Sequence, residues 1–139
     1  MGHDRRLGTG LAPCPAGGGG IPVIRREGGY DGVEAVVDKD LASAVLAREV
    51  GARVLGMSTS VDQVALHYGT PRAQGIDRMS VQEARRYLDD GHFPSGSMGP
   101  KVEAAIRFIE AGGETVLITA PWTIGPALSG AGGTRIVSG

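Results

Sequence analysis

Short apolar runs alternate with amphipathic stretches along most of this sequence, and glycine-rich turns separate them. The apolar runs have the length of strands, and the amphipathic stretches carry apolar residues at helical spacing. The first two predicted strands flank Gly28-Gly29, which favours a hairpin or two adjacent strands. Strands are predicted at residues 21–24, 32–37, 53–57, 115–119 and 134–137, with an irregular strand or turn at 63–68.

Three of the amphipathic stretches carry helix start and stop signals. Asp40 is a natural N-cap for a helix that stops at Gly51. Ser80, with Glu83 three positions later, forms the capping box of a second helix. A third helix is predicted to begin at Pro100, because proline suits the first helical turn.

With a weaker helix expected around residues 122–128, strands and helices alternate through the chain. Such alternation predicts an α/β fold, specifically a three-layer αβα sandwich with a largely parallel sheet. Ligands of these sheets gather at the carboxyl ends of the strands. Functional residues are therefore expected where strands end and helices begin.

Composition and charge narrow the class of protein. The 139 residues carry a formal net charge of −1 with both signs dispersed, so nucleic acid and membrane surfaces are not expected as partners. No apolar run approaches the roughly 20 residues that span a bilayer, and the N-terminus lacks a signal-peptide core. Cys14 is the single cysteine, and the histidines lack ligand-like spacing, so no metal site is predicted. We expect one cytoplasmic domain.

One glycine cluster precedes the first predicted strand. It consists of Gly17, Gly18, Gly19 and Gly20. Four residues without a Cβ allow backbone N–H groups to approach a charged ligand closely. A permissive surface loop explains the same cluster equally well, so both interpretations stay open.

Three charged residues, Asp38, Lys39 and Asp40, lie between a predicted strand and a helix start. In a structural interpretation, Asp40 caps the helix and Lys39 neutralises its neighbours on the surface. In a functional interpretation, Asp40 holds a second cationic group while Lys39 faces a transferred phosphoryl group. The residues alone allow either.

The sequence Gly-Ser-Met-Gly-Pro-Lys at residues 96–101 combines a glycine loop, a helix N-terminus and a lysine in the first turn. Helix N–H groups and the positive end of the helix dipole attract anions, and Lys101 adds a full charge. The pattern of a Walker-type phosphate loop is not present. The segment therefore predicts a phosphate site of another kind.

These segments resemble the motifs of carbamate kinases, which are members of the amino acid kinase family. The resemblance runs from about Gly17 to the C-terminus, which divides the chain into a divergent segment, 1–16, and a nucleotide-binding lobe, 17–139. It rests on Gly-Gly-Gly-Gly-Ile-Pro-Val at 17–23, Gly-Val-Glu-Ala-Val-Val-Asp-Lys-Asp-Leu-Ala-Ser at 32–43 and Gly-Ser-Met-Gly-Pro-Lys-Val-Glu-Ala-Ala-Ile at 96–106.

The resemblance implies phosphoryl transfer between ATP and carbamate, giving ADP and carbamoyl phosphate, with Mg²⁺ bridging the nucleotide phosphates. Asp40 is then expected to organise the catalytic lysines, Lys101 to contact the transferred phosphoryl group and Lys39 to lie close by. Positioning and charge neutralisation suffice for this chemistry, so no nucleophilic side chain is required. The residues expected at the nucleotide are Gly17, Gly18, Gly19, Gly20, Thr59, Asp62, Tyr68, Met98, Gly99 and Lys101.

The resemblance covers only the C-terminal half of the chain of the family's members. In the family, the N-terminal lobe supplies a further catalytic lysine, most of the carbamate site and much of the dimer contact, and no segment here resembles it. Two functions stay open: a carbamate kinase, alone or with a complementary lobe on another polypeptide, and a catalytically inactive nucleotide-binding remnant. An exposed sheet edge is expected to favour self-association.

Two segments depart from the family's pattern. One is Gly-Met-Ser-Thr-Ser at residues 56–60, where the family has a more apolar strand, and the other is Ala-Pro-Trp at 120–122. Trp122 is expected to pack against the sheet rather than to face a ligand.

Overall fold

A computed structural model describes residues 20–93 and 95–139 of the chain. The helices in this part are α1 (Lys39–Glu49), α2 (Val81–Asp89), α3 (Met98–Glu110) and α4 (Ile124–Leu128), and a 3-10 turn at Pro121–Thr123 precedes α4. The strands are β1 (Val23–Arg26), β2 (Gly29–Gly32), β3 (Val54–Ser58), β4 (Ala65–Leu66), β5 (Gln74–Gly75), β6 (Arg78–Ser80), β7 (Thr115–Thr119) and β8 (Thr134–Val137).

The central sheet has four strands in the order β3-β7-β8-β6. β3 runs parallel to β7 and β6 runs parallel to β8, while β7 and β8 are antiparallel. The predicted α/β fold with a largely parallel sheet is therefore confirmed, with one antiparallel pairing at its centre. β1–β2 and β4–β5 form two separate hairpins.

The core lies between one face of this sheet and the first three helices. Strand register places Met79, Val116, Ile118 and Ile136 on that face, and all four are almost fully buried. On the opposite face, Leu117 lies close to Gly133, whose other close neighbours are Thr119 and, from α4, Ala127. Helices therefore cover both faces of the sheet, as a layered sandwich requires.

Helix α1 packs on α3 through small side chains. Ala44 and Ala47 are buried, whereas Val45, Leu46 and Val50 are 53%, 44% and 68% exposed. The apolar stripe predicted the helix correctly, but these larger members are not covered within the part of the chain that the structure describes. The outer side of α1 therefore carries an exposed apolar surface in addition to the buried face that packs on α3.

Several predicted boundaries need correction. The second strand is β2 at Gly29–Gly32 rather than 32–37, because the pairing with β1 extends outward from the turn at Gly28, where φ is +93°. Helix α3 begins at Met98, before Pro100, and strands β5 and β6 were not predicted. The predictions for 115–119 and 134–137 are confirmed. None of the helices in residues 20–93 and 95–139 has the length and apolar character needed to cross a membrane.

Candidate functional site

The start of α1 is capped by Asp38, not by Asp40 as predicted. Asp38 has extended backbone angles, and its Oδ1 accepts hydrogen bonds from the N–H groups of Asp40 and Leu41 at 2.8 and 2.9 Å. Because Asp38 satisfies these donors, the Asp40 side chain is free to turn into the protein interior. Asp40 is 7% exposed.

Buried Asp40 forms an ion pair with Lys101 across the interface of α1 and α3. Lys101 Nζ donates to Asp40 Oδ1 at 2.8 Å, and the two side chains are 9% and 10% exposed. Lys39 Nζ approaches Asp40 Oδ2 at 3.4 Å, and its side chain is 57% exposed. One carboxylate therefore holds two lysines, one buried and one facing solvent, and this cluster carries a net positive charge.

The N-terminus of α3 lies beside this cluster. Its N-cap, Ser97, makes no side-chain capping hydrogen bond, and the first turn contains no acidic residue. Gly99 and Lys101 are buried within that turn. Helix N–H groups and a buried ammonium group thus converge at one helix end, which is an arrangement suited to an anion.

A cleft that is partly open to solvent adjoins the start of α3. Three residues predicted to contact a nucleotide, Thr59, Tyr68 and Met98, line it. It lies next to the carboxyl end of β3, which the fold class predicts for a ligand site. The remaining lining residues, which were not among those expected at the nucleotide, are Ser60, Val61, Gln63, Ala65, Phe93 and Ser97.

Asp62 is not among the residues that line this cleft. Its Oδ1 accepts a hydrogen bond from the indole Nε1–H of Trp122 at 3.0 Å, and its backbone carbonyl accepts from Thr119 Oγ1 at 3.2 Å. Trp122 is 70% exposed, so the expectation that it packs against the sheet is wrong. Pro121 starts a 3-10 turn here, which carries the indole out over the loop after β3.

The predicted glycine loop falls mostly outside the described residues. Gly17, Gly18 and Gly19 lie there, while Gly20 is described and is exposed, with a φ of +123°.

The structure brings two histidines together. The rings of His67 and His92 meet edge to face with centroids 4.7 Å apart. Within residues 20–93 and 95–139, no group of three or more acidic, histidine or cysteine side chains is arranged to hold a metal ion.

The chain is similar in sequence to carbamate kinases. It is 47% identical over 129 residues to the carbamate kinase-like protein YahI of Escherichia coli, a match that covers 92% of this chain and 41% of that protein. It is 48% identical over 128 residues to the carbamate kinase of Pyrococcus furiosus, with the same two coverages of 92% and 41%. The chain therefore spans about two fifths of the length of these relatives.

The solved structures agree with the sequence matches. The carbamate kinase from Giardia lamblia bound to AMP-PNP superposes with a TM-score of 0.83 and 41% identity, over 88% of this chain and 39% of that one. A structure from Aeropyrum pernix superposes with a TM-score of 0.80 and 46% identity, over the same 88% of this chain and 39% of that one. The sequence model of the amino acid kinase family matches residues 14–120, and this chain belongs to that family.

Proposed function

We propose that this chain is the nucleotide-binding half of a carbamate kinase. It binds ATP or ADP in the cleft between the loop after β3 and the start of α3. Together with an acceptor-binding lobe, it transfers a phosphoryl group between ATP and carbamate. Similarity to carbamate kinases over 92% of the chain supports the reaction, and the chain's share of their length, 41%, supports the restriction to one half.

The observation that carries the proposal is the buried carboxylate with two lysines. An ion pair as buried as Asp40 and Lys101 is a poor source of stability, because desolvation offsets most of the attraction between the charges. Lys101 lies in the first turn of α3, whose N-cap Ser97 makes no side-chain capping hydrogen bond, and Ser97 and Met98 of this helix start line the cleft. This position supports a functional reason for the pair, although Asp40 and Lys101 do not line the cleft themselves. The solved Giardia carbamate kinase was bound to an ATP analogue, which supports a nucleotide as the ligand.

Each residue has a distinct role in this proposal. Asp40 fixes the ammonium groups of Lys101 and Lys39 at one point, and Lys101 contacts the oxygens of the transferred phosphoryl group. The backbone N–H groups of Met98 and Gly99 add partial positive charge beside them. Fixed charges of this kind stabilise the negative charge of the transition state without reorganisation, which is the main protein contribution to phosphoryl transfer.

Magnesium would enter with the nucleotide. Mg²⁺ binds through few protein carboxylates when phosphate oxygens and water complete its coordination. When bound, the ion would neutralise charge on the nucleotide phosphates, while the lysines act on the transferred group. We place the chain in the cytoplasm, the compartment in which ATP is abundant.

A catalytically inactive nucleotide-binding protein is the second candidate. It stays open because the matched region, 41% of the Escherichia coli relative, is the part that the resemblance assigns to the nucleotide rather than to carbamate. Both candidates predict binding of Mg-ADP. Only the first predicts that ATP forms from carbamoyl phosphate and ADP.

The partner is proposed to be a complementary lobe or a second copy of the chain, seated on the outer edge of β3. β3 is one of the two edge strands of the described four-stranded sheet, and Val54 on it is 50% exposed. The exposed face of α1, formed by Val45, Leu46 and Val50, supports the same partner. An open sheet edge beside exposed apolar side chains promotes association.

The decisive experiment is calorimetric titration of the purified chain with Mg-ADP, followed by an assay for ATP formation from carbamoyl phosphate. Binding together with turnover supports the carbamate kinase. Binding without turnover supports the inactive nucleotide-binding protein. A chain that does not bind Mg-ADP contradicts both.

The partner surface is tested by sedimentation of the wild type and of Val54→Lys, since a charge on an edge strand opposes pairing. Val36→Lys is the matched control, because Val36 is 96% exposed and lies outside the sheet. We expect Val54→Lys alone to reduce association. Equal sedimentation of all three proteins would contradict a second copy of the chain as the partner on this surface.

A further inference from the structure

We infer that Trp122 is a positioning residue for the nucleotide cleft, acting through Asp62. The inference rests on the proposed function, and it concerns a side chain at which this sequence departs from the family's pattern. Trp122, the residue at this departure, thereby has a structural role at the cleft. Trp122 holds the loop of residues 59–63, four of which line the cleft, against the turn that follows β7.

Strand topology brings the two segments together. β3 and β7 are parallel neighbours, with Ser58 paired to Thr119, so the loops that follow them leave the sheet side by side. The Thr59 N–H donates to the Thr119 carbonyl at 2.9 Å and continues the pairing by one residue. Beyond that point, the loop after β3 depends on side chains for its position.

The link between the loops uses the indole of Trp122. Its Nε1–H can only donate, and the acceptor is Asp62 Oδ1 at 3.0 Å. Thr123 Oγ1 lies 3.4 Å from the same oxygen. The single proton of that hydroxyl has nearer acceptors, however, in Thr119 Oγ1 at 2.8 Å and the Ala120 carbonyl at 3.1 Å. Trp122 is therefore the principal donor to this carboxylate.

Packing does not explain the position of the tryptophan. With 70% of its surface exposed, the ring gains little from burial, and its defined contact is the hydrogen bond to a charged acceptor. Asp62 is itself exposed and does not line the cleft. Its carboxylate is thus used to fasten the loop, and Val61 and Gln63 on either side of it form part of the cleft wall.

The test compares wild type, Trp122→Phe, Asp62→Ala and the double variant by two measurements. Amide hydrogen exchange at Thr59 and Val64, whose N–H groups donate to the Thr119 carbonyl and to Thr134 Oγ1 at the two ends of the loop, reports loop order without any ligand. Titration with Mg-ADP reports the cleft. Trp122→Phe keeps an aromatic ring and removes the donor. We expect roughly three- to tenfold faster exchange and a similar loss of affinity, which corresponds to the net value of one typical hydrogen bond.

The effect of Trp122→Phe is compared in the wild-type and Asp62→Ala backgrounds, and this comparison distinguishes a positioning role from a direct contact with the ligand. If Trp122 acts through Asp62, Trp122→Phe has no further effect in the Asp62→Ala background. Tyr30→Phe is the matched control, because Tyr30 is 68% exposed on the β1–β2 hairpin, none of whose residues lines the cleft, and both of its readouts should equal the wild type.

Unchanged exchange in Trp122→Phe, or an equal loss of affinity in both backgrounds, overturns the inference. Faster exchange in a chain whose wild type does not bind Mg-ADP supports the positioning of the loop and overturns the proposed function instead.

Discussion

Two helices of the same sandwich begin in opposite ways. At the start of α2, Ser80 and Glu83 form a complete capping box: the Glu83 N–H donates to Ser80 Oγ at 3.2 Å, and Glu83 Oε2 accepts from the Ser80 N–H at 2.8 Å. At the start of α3, Ser97 makes no side-chain cap, and a buried lysine replaces the acidic residue. Helix α2 satisfies its own N-terminus, whereas α3 presents its N-terminus to a neighbouring cleft.

The difference separates stability from function within one fold. A capping box is local and exposed, and it adds stability at little cost. A lysine in the first turn of a helix opposes the helix dipole, and its burial requires Asp40 from another helix. The protein retains this less favourable arrangement at one helix end, beside the cleft, which is the end that the proposed function requires.

The largest expected effect is on stability when Lys101 is changed. Lys101→Met leaves the buried Asp40 carboxylate with only the 3.4 Å contact to Lys39, and we expect unfolding to become easier by about 3 kcal/mol. Lys39→Met is the control, because its side chain is 57% exposed, and it should cost under about 1 kcal/mol. Chemical denaturation measures both values. Equal losses would contradict the distinction between the two lysines.

The double variant Asp40→Asn with Lys101→Met sharpens this result. It removes both buried charges together, so no unpaired ion remains in the interior. We expect denaturation to show that most of the stability lost in Lys101→Met returns. A double variant as unstable as Lys101→Met would show that packing of the lysine stem, not the unpaired charge, caused the loss.

A smaller effect is expected at α2. Ser80→Ala removes the hydroxyl that accepts from the Glu83 N–H, and loss of such a cap costs about 1 kcal/mol. Because this helix end is self-contained, the affinity for Mg-ADP should stay unchanged. Thermal melting measures the loss of stability, and titration with Mg-ADP measures the affinity. A weaker affinity of Ser80→Ala for Mg-ADP would contradict the proposed difference between the starts of α2 and α3.

The smallest effect concerns acid stability. Hydrogen bonds from the backbone N–H and then the hydroxyl of Ser80 lower the pKa of Glu83 below its usual value. Because the pKa is lower in the folded state, the Glu83 charge stabilises the fold fully above the unfolded-state pKa. This stabilisation is lost as the pH falls through the folded-state pKa. Melting temperatures from pH 7 to about 3 should therefore fall less steeply for Glu83→Gln than for the wild type. Identical slopes would contradict a role for the Glu83 charge.

The sequence predicts those features that depend on neighbours in the chain. The Ser80–Glu83 capping box and the strand at 115–119 follow from local spacing and are confirmed. The choice between Asp38 and Asp40 as the cap of α1 does not follow, because either carboxylate has suitable spacing. That choice depends on Lys101, which lies 61 residues away in the chain.

The same limit explains the other errors. β6 has three residues and is stabilised by pairing with β8, far along the chain, so no local pattern marks it. Trp122 was expected to pack because aromatic rings usually do. Its exposed position depends on a hydrogen bond to Asp62, 60 residues earlier. The catalytic and nucleotide-binding roles remain predictions, although the structure places Asp40 in contact with both lysines.

The most direct test of the central claim is calorimetric titration with Mg-ADP of the wild type and of the double variant Asp40→Asn with Lys101→Met. The claim is that the start of α3 and its buried lysine bind the phosphates of a nucleotide. We predict that the wild type binds one nucleotide and that the double variant binds at least about tenfold more weakly, because a charged hydrogen-bond donor to phosphate is lost. Equal affinity of the two proteins would contradict the claim.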